Sequence, residues 1–80
     1  MRLDQYLSKI GIIKRRAIAK EMADSGLIRV NNQRGKPSKE VNVGDIIQIG
    51  GSRPVGIEII MLPLGNIKKD DRERYYKKLS

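Results

Sequence analysis

The stretch that decides the fold of this chain is residues 3–30, LDQYLSKIGIIKRRAIAKEMADSGLIRV. Its first apolar residues recur at the i, i+3, i+4 and i+7 spacing of one helix face: Leu3, Tyr6, Leu7 and Ile10. Gly11 follows them and is typical of the residue just after a helix C-terminus. A second helical pattern runs from about residue 14 to residue 25, and Gly26 ends it. The stretch therefore predicts two short helices joined by a tight turn.

Short β-branched runs follow the helices and predict a small antiparallel sheet. They occupy residues 27–30, 46–49 and 55–62. Asn31 and Asn32 follow the first run, and two asparagines can adopt the positive φ values of a type I′ hairpin turn. Residues 67–80 are strongly charged and indicate a helix or a tail. Two helices followed by three to five strands predict an α+β fold, with the helical pair packed on the sheet.

The composition narrows the possible functions. The 80 residues include 17 Lys and Arg, 9 Asp and Glu, and neither His nor Cys. Without cysteine there is no disulfide scaffold, thiolate zinc site or catalytic thiol. Without histidine the chain lacks the commonest general base and the commonest metal ligand. We therefore expect one small domain that is not an enzyme and needs neither a metal nor another cofactor.

The net charge of +8 is unevenly distributed along the chain. Residues 1–40 carry a net +6, residues 41–67 a net −1, and residues 68–80 a net +3. A concentration of positive charge in one segment favours a binding face for a polyanion. The charge alone does not distinguish RNA from DNA or from an anionic membrane surface.

The hydropathy pattern gives no sign of export or of a membrane span. The first residues lack the apolar run of a signal peptide. The longest nearly apolar stretch, residues 57–64, is far shorter than the ~20 residues that a spanning helix needs. We expect a cytoplasmic protein without a membrane partner.

A set of ordered positions resembles the S-four RNA-binding domain, which is named after ribosomal small-subunit protein four. The resemblance covers residues 1–49 and rests on Arg2-Leu3-Asp4, Leu7, Arg16, Ala19, Gly26, Ile28, Val30-Asn31, Val41 and Gly44-Asp45. It implies a domain at residues 1–66 followed by a charged helix or tail at residues 67–80. The sequence departs from the family where Arg15 replaces a capping Ser or Thr, and where Asn32 replaces the turn glycine.

Two segments resemble particular branches of that family. Residues 31–39 are similar to a loop of the ribosome-associated heat-shock protein fifteen family. Residues 13–24 resemble the ribosome quality-control cofactor family RqcP. This resemblance implies a monomer that binds large-subunit rRNA and peptidyl-tRNA on obstructed subunits, beside a tailing factor, and that supports nascent-chain tailing or rescue.

Eight basic residues are the candidate RNA-binding set: Arg2, Lys14, Arg15, Arg16, Lys20, Arg34, Lys36 and Lys39. The resemblance places Arg2 and Arg16 at RNA-contacting positions, and a guanidinium can bind a phosphate through two parallel hydrogen bonds. The others form dense clusters in the turn, the second helix and a polar loop. For Arg2 the alternative is an ion pair with Asp4, a carboxylate that we expect to orient Arg2 or Arg16.

Other functions stay open at this point. The chain has three Tyr and neither Phe nor Trp, so base stacking of the kind used by RNA-recognition motifs is poorly supplied. Another translation or ribosome-assembly factor would have the same charge pattern. A detached appendage of an RNA-modifying enzyme would need a separate catalytic domain. A membrane-surface helix would need the apolar face that the core requires.

Overall fold

The computed structural model describes residues 1–79 and contains two α-helices, five strands and one 3₁₀ helix. These are α1 (Leu3–Lys9), α2 (Arg16–Asp24), β1 (Ile28–Val30), β2 (Gln33–Arg34), β3 (Ile46–Ile49), β4 (Val55–Ile59), the 3₁₀ helix (Lys69–Arg74) and β5 (Tyr76–Lys78). The strands form one antiparallel sheet in the order β2-β1-β3-β4-β5. The predicted α+β fold is confirmed. None of the helices in the described residues is long and apolar enough to span a bilayer.

The core lies between the helical pair and the inner face of the sheet. The predicted apolar face of α1 is buried, and its Leu3, Tyr6 and Leu7 are fully inaccessible to solvent. Along β3 the burial alternates, because successive side chains of a strand point to opposite faces. The fully buried isoleucines of the sheet and its flank are Ile28, Ile47, Ile57 and Ile59.

Tyr6 is part of this core. Its hydroxyl donates a hydrogen bond to the backbone oxygen of Tyr75, with an O···O distance of 2.8 Å. Burial, with a smaller contribution from Tyr76, raises the pKa of Tyr6 well above its ordinary value, so the hydroxyl keeps its proton and remains a donor. The prediction that Tyr6 packs in the core and does not stack on a base is confirmed.

The hairpin turn between β1 and β2 is also confirmed. Asn31 and Asn32 have φ values of 51° and 68°, which is the left-handed region that asparagine tolerates better than most residues. The Asn31 Oδ1 accepts a hydrogen bond from the backbone N–H of Ile46 at 2.9 Å, and its Nδ2 donates to the Asp45 carboxylate at 3.1 Å. Asn31 therefore shapes the turn and also ties it to the start of β3.

Strand β5 was not predicted from the sequence. The charged C-terminal segment contains the 3₁₀ helix and then Tyr76–Lys78, which pairs with β4 and completes the sheet. Ile59 lies opposite Tyr76 in this pairing. Lysines on an edge strand discourage pairing with other chains, and the same lysines hide the strand in a hydropathy pattern.

The loop after β2, residues 35–41, docks on the first turn of α1. The backbone N–H of Leu3 donates to the oxygen of Lys39 at 2.8 Å, and that of Asp4 donates to the oxygen of Pro37 at 3.2 Å. Residues in the first turn of a helix have no acceptor within the helix, so the loop satisfies two donors that would otherwise need water. The loop enters this position through Gly35, which is buried.

Substitution of Gly35 tests this docking. A Cβ at Gly35 would lie 2.8 Å from the Leu3 Cδ2 and 3.0 Å from the Val30 Cγ2, and both of these side chains are buried in the core. We expect Gly35→Ala to lower the free energy of unfolding by about 1–3 kcal/mol, as overpacking does, in urea denaturation. The matched control is Gly50→Ala, whose Cβ would meet nothing closer than the Leu27 oxygen at 3.4 Å. Equal stability of the two variants would contradict the docking.

Candidate nucleic-acid interface

A buried carboxylate holds two arginines at the N-terminal end of α1. The Asp4 oxygens lie 3.2 Å from both Nε and Nη2 of Arg2, and the Asp4 Oδ2 lies 3.5 Å from the Nε of Arg16. Asp4 is only 2% exposed, whereas the side chains of Arg2 and Arg16 are 48% and 49% exposed. The carboxylate thus fixes one edge of each guanidinium and leaves much of its surface to solvent.

This arrangement bears on both interpretations of Arg2. The ion pair with Asp4 exists, and Asp4 orients Arg2 and Arg16 as the sequence predicts. Since one negative charge faces two positive charges, the cluster keeps a net positive charge. The pairing therefore leaves the cluster able to bind an anion, and it holds the two guanidiniums in place before the anion arrives.

A shallow cleft lies between α2 and the docked loop. Its volume is about 490 Å³, and it is lined by Arg2, Lys20, Asp24, Arg34, Lys36, Pro37 and Ser38. Four cations against one carboxylate make it an electropositive groove, which concentrates anions from solution. The structure thus brings together residues that the sequence places on the second helix and in a polar loop, and it puts Arg34 of that predicted loop on β2.

Arg34 fixes one wall of this cleft. Its Nη2 donates to the backbone oxygen of Asp24, in the last turn of α2, at 2.6 Å. A cation at a helix C-terminus is favourable because the last carbonyls have no partner within the helix. Arg34 therefore joins β2 to α2 at this wall of the cleft.

The cations of the docked loop are positioned by backbone hydrogen bonds. The N–H of Lys39 donates to the oxygen of Lys36 at 3.0 Å, which closes a tight turn through Pro37 and Ser38. Both lysine side chains are exposed, but Lys36 lines the cleft whereas Lys39 does not. Ser38 was missed at the sequence level, because a single serine without charge gives no signal of binding.

Lys14 and Arg15 lie apart from the cleft, in the exposed turn between the helices. Arg15 occupies the position before α2, and no side chain there caps the helix. The missing cap predicted from the sequence is confirmed. The turn is thus a second place where positive charge meets solvent.

The described residues include no group of three or more His, Cys, Asp or Glu side chains that could hold a metal ion. The cleft instead presents guanidinium, ammonium and hydroxyl groups. These are donors for the oxygens of a phosphate. The geometry is suited to binding an anionic backbone.

Replacement of Asp4 tests its orienting role. We expect Asp4→Asn to lower the free energy of unfolding by about 1–3 kcal/mol, because it removes charge-assisted hydrogen bonds and points an amide donor at guanidinium donors. Urea denaturation measures the loss, and NMR signals of the Arg2 and Arg16 Nε–H groups report their release. The control is Asp24→Asn, whose exposed side chain has no ion pair within residues 1–79. An unchanged stability for Asp4→Asn would overturn the assignment.

Comparisons with known proteins agree with this geometry. A model of the S4 domain matches residues 1–47. The chain is 38% identical to the RQC P-site tRNA stabilizing factor of Helicobacter pylori, over 94% of this chain and 92% of the relative. It is also 38% identical to the protein of the same name from Streptococcus pneumoniae, over 100% of this chain and 91% of the relative.

A solved structure shows the same fold. The trimeric structure of heat shock protein 15 from Vibrio cholerae superimposes with a TM-score of 0.91 and 28% identity, over 100% of this chain and 82% of the other. The match includes the C-terminal segment that the family model does not cover. Since the family model spans more than half of the sequence and the relatives align along nearly all of it, this chain belongs to the S4 domain family.

Proposed function

We propose that the protein is a non-catalytic RNA-binding factor that binds large-subunit rRNA and peptidyl-tRNA on obstructed ribosomal subunits and supports nascent-chain tailing in ribosome-associated quality control. The observation that carries the proposal is the electropositive cleft beside the two arginines held by Asp4. The relatives named RQC P-site tRNA stabilizing factor, similar over nearly their full length, support the choice of RNA and of process.

The proposed binding set is the one expected from the sequence. Arg2, Arg16, Lys20, Arg34 and Lys36 bind phosphates at and beside the cleft, while Lys39, Lys14 and Arg15 extend the contact along the loop and the turn. Arg2 and Arg16 are fixed on one side by Asp4, so little side-chain freedom remains to be lost on binding. Arg2 and Arg16 therefore form the centre of the proposed interface.

The proposed recognition is of RNA shape and phosphate position. Tyr6 is buried, and Tyr75 and Tyr76 pack against the core, so the cleft has no aromatic platform for unpaired bases. Folded rRNA and tRNA present phosphates at fixed spacings, which suits rigidly held cations. The protein acts as a monomer in this proposal, next to a tailing factor on the same subunit.

A second candidate is rescue of obstructed subunits in the manner of a heat-shock factor. The structural similarity to heat shock protein 15 favours it. Both candidates use the same RNA-binding face, so they differ in the protein that acts after binding. Dependence of nascent-chain tailing on the protein distinguishes them, because rescue alone leaves tailing unchanged.

Binding to ribosomal particles tests the proposed target. We expect the full chain to co-sediment with large subunits that carry peptidyl-tRNA, and to do so more weakly with empty large subunits. Small subunits from the same preparation are the control, since they contain neither large-subunit rRNA nor peptidyl-tRNA bound to it. Equal binding to small subunits, or absence from the large-subunit fractions, would refute the proposal.

The salt dependence of binding tests the phosphate contacts. If about five phosphates are bound, log affinity plotted against log salt should have a slope near −4, from about 0.7–0.9 per contact. We expect Arg16→Met to weaken binding about tenfold, the usual effect of losing one charge-assisted hydrogen bond, and to reduce the slope by about 1. The control is Lys77→Met on β5, next to Glu58 in the sheet. A flat salt response would rule out the electrostatic mechanism.

A further inference from the structure

Arg72 of the 3₁₀ helix lies against the C-terminal end of α1. It occupies a notch at Gly11, where a Cβ would come within 2.6 Å of the Arg72 Nη1 and 2.8 Å of its Cζ. Gly11 has a φ of +76°, so the turn conformation and the close approach both favour glycine. Arg72 was not predicted to bind RNA, since it stands among alternating charges in the sequence.

The charge of Arg72 is not neutralised within the described part of the chain. Its Nε is buried and has no hydrogen-bond partner among residues 1–79. The neighbouring carboxylate of Asp71 faces the Nε of Arg74 at 3.6 Å, and no carboxylate in those residues lies within 4.0 Å of Arg72. Arg72 is partly exposed, so the solvent-accessible part of its guanidinium carries a positive charge that can bind an anion.

Other cations lie in the last turn of α1 and in the turn that follows it. The turn that begins at Gly11 leads directly to Lys14 and Arg15, which are exposed and have no ion pair in the described residues. Lys9 is also close to the C-terminal segment, because its Nζ donates to the backbone oxygen of Gly65 at 3.0 Å. The C-terminal segment thus packs against the end of α1 that is followed by the basic turn.

We propose that Arg72, Lys14 and Arg15 form a second phosphate-binding site, which binds the RNA backbone near the C-terminal end of α1. The cleft at Arg2 lies at the other end of this helix. Seven residues of α-helix rise about 10 Å, so the two sites contact different phosphates. The inference rests on the proposed function and adds a second contact surface to it.

The test is the affinity of Arg72→Met for large subunits that carry peptidyl-tRNA. Methionine retains apolar contact with Gly11 but has no charge, so we expect binding about tenfold weaker and a salt slope smaller by about 1. The matched control is Arg74→Met, two residues away. It should bind within about twofold of the unmodified chain, because the charge of Arg74 is already offset by Asp71. A thermal melt accompanies each measurement.

Each outcome of these measurements supports or refutes the second phosphate-binding site. Binding by Arg72→Met equal to that of Arg74→Met would overturn the second site. A lowered melting temperature with an unchanged salt slope would assign Arg72 a purely structural role. If Arg72→Met does not fold, Arg72→Lys keeps the charge and should preserve the slope; loss of the slope in that folded variant would also refute the site. Failure of the unmodified chain to bind, or an unaltered affinity in Arg16→Met, would instead refute the proposed function.

Discussion

The first turn of α1 is the point on which the rest of the structure depends. There the backbone N–H groups of Leu3 and Asp4 donate to carbonyls of the loop at Lys39 and Pro37. From the same turn the Asp4 carboxylate reaches Arg2 and the Nε of Arg16. One turn of helix therefore fixes the loop wall of the cleft, the cleft residue Arg2, and Arg16 beside the cleft. Leu3 and Asp4 are buried, so the backbone of that turn is shielded from solvent although the arginine side chains are not.

The packing of α2 follows from the same requirement. Ala19 and Ala23 are buried on its inner side, and small side chains at such spacing let two helices approach closely. The close approach brings Arg16, at the start of α2, to the carboxylate on α1. Larger residues at these positions would enlarge the core but would separate the arginine from its partner. In so small a domain the core and the binding face share the same two helices, so each apolar position also sets the placement of a charge.

The features that could be predicted from the sequence are those with local causes. The two helices follow from apolar spacing, and the Asn31-Asn32 turn follows from the φ preference of asparagine; the structure has both. Asp4 could be predicted to orient an arginine because Arg2 is only two residues away in the sequence. The docked loop could not, since its hydrogen bonds join residues that are far apart in sequence and use backbone atoms common to every residue type. Strand β5 and the contact between Gly11 and Arg72 also join distant parts of the sequence, and both involve a charged segment that gives no apolar pattern.

The positions of the cations along α1 constrain how the proposed RNA contacts work together. Asp4 binds Arg2 at one end of α1, and Gly11 contacts Arg72 at the other. The length of α1 therefore sets the distance between these two groups of cations. Tyr6 and Leu7, which lie between the two ends, are fully buried, so a change in the spacing of the ends would disturb the core. Coupling between the two ends would therefore come from matching a fixed spacing, and not from a conformational change. A rigid module of this kind favours RNA already folded with phosphates at that spacing, and a flexible strand would first have to lose its conformational freedom.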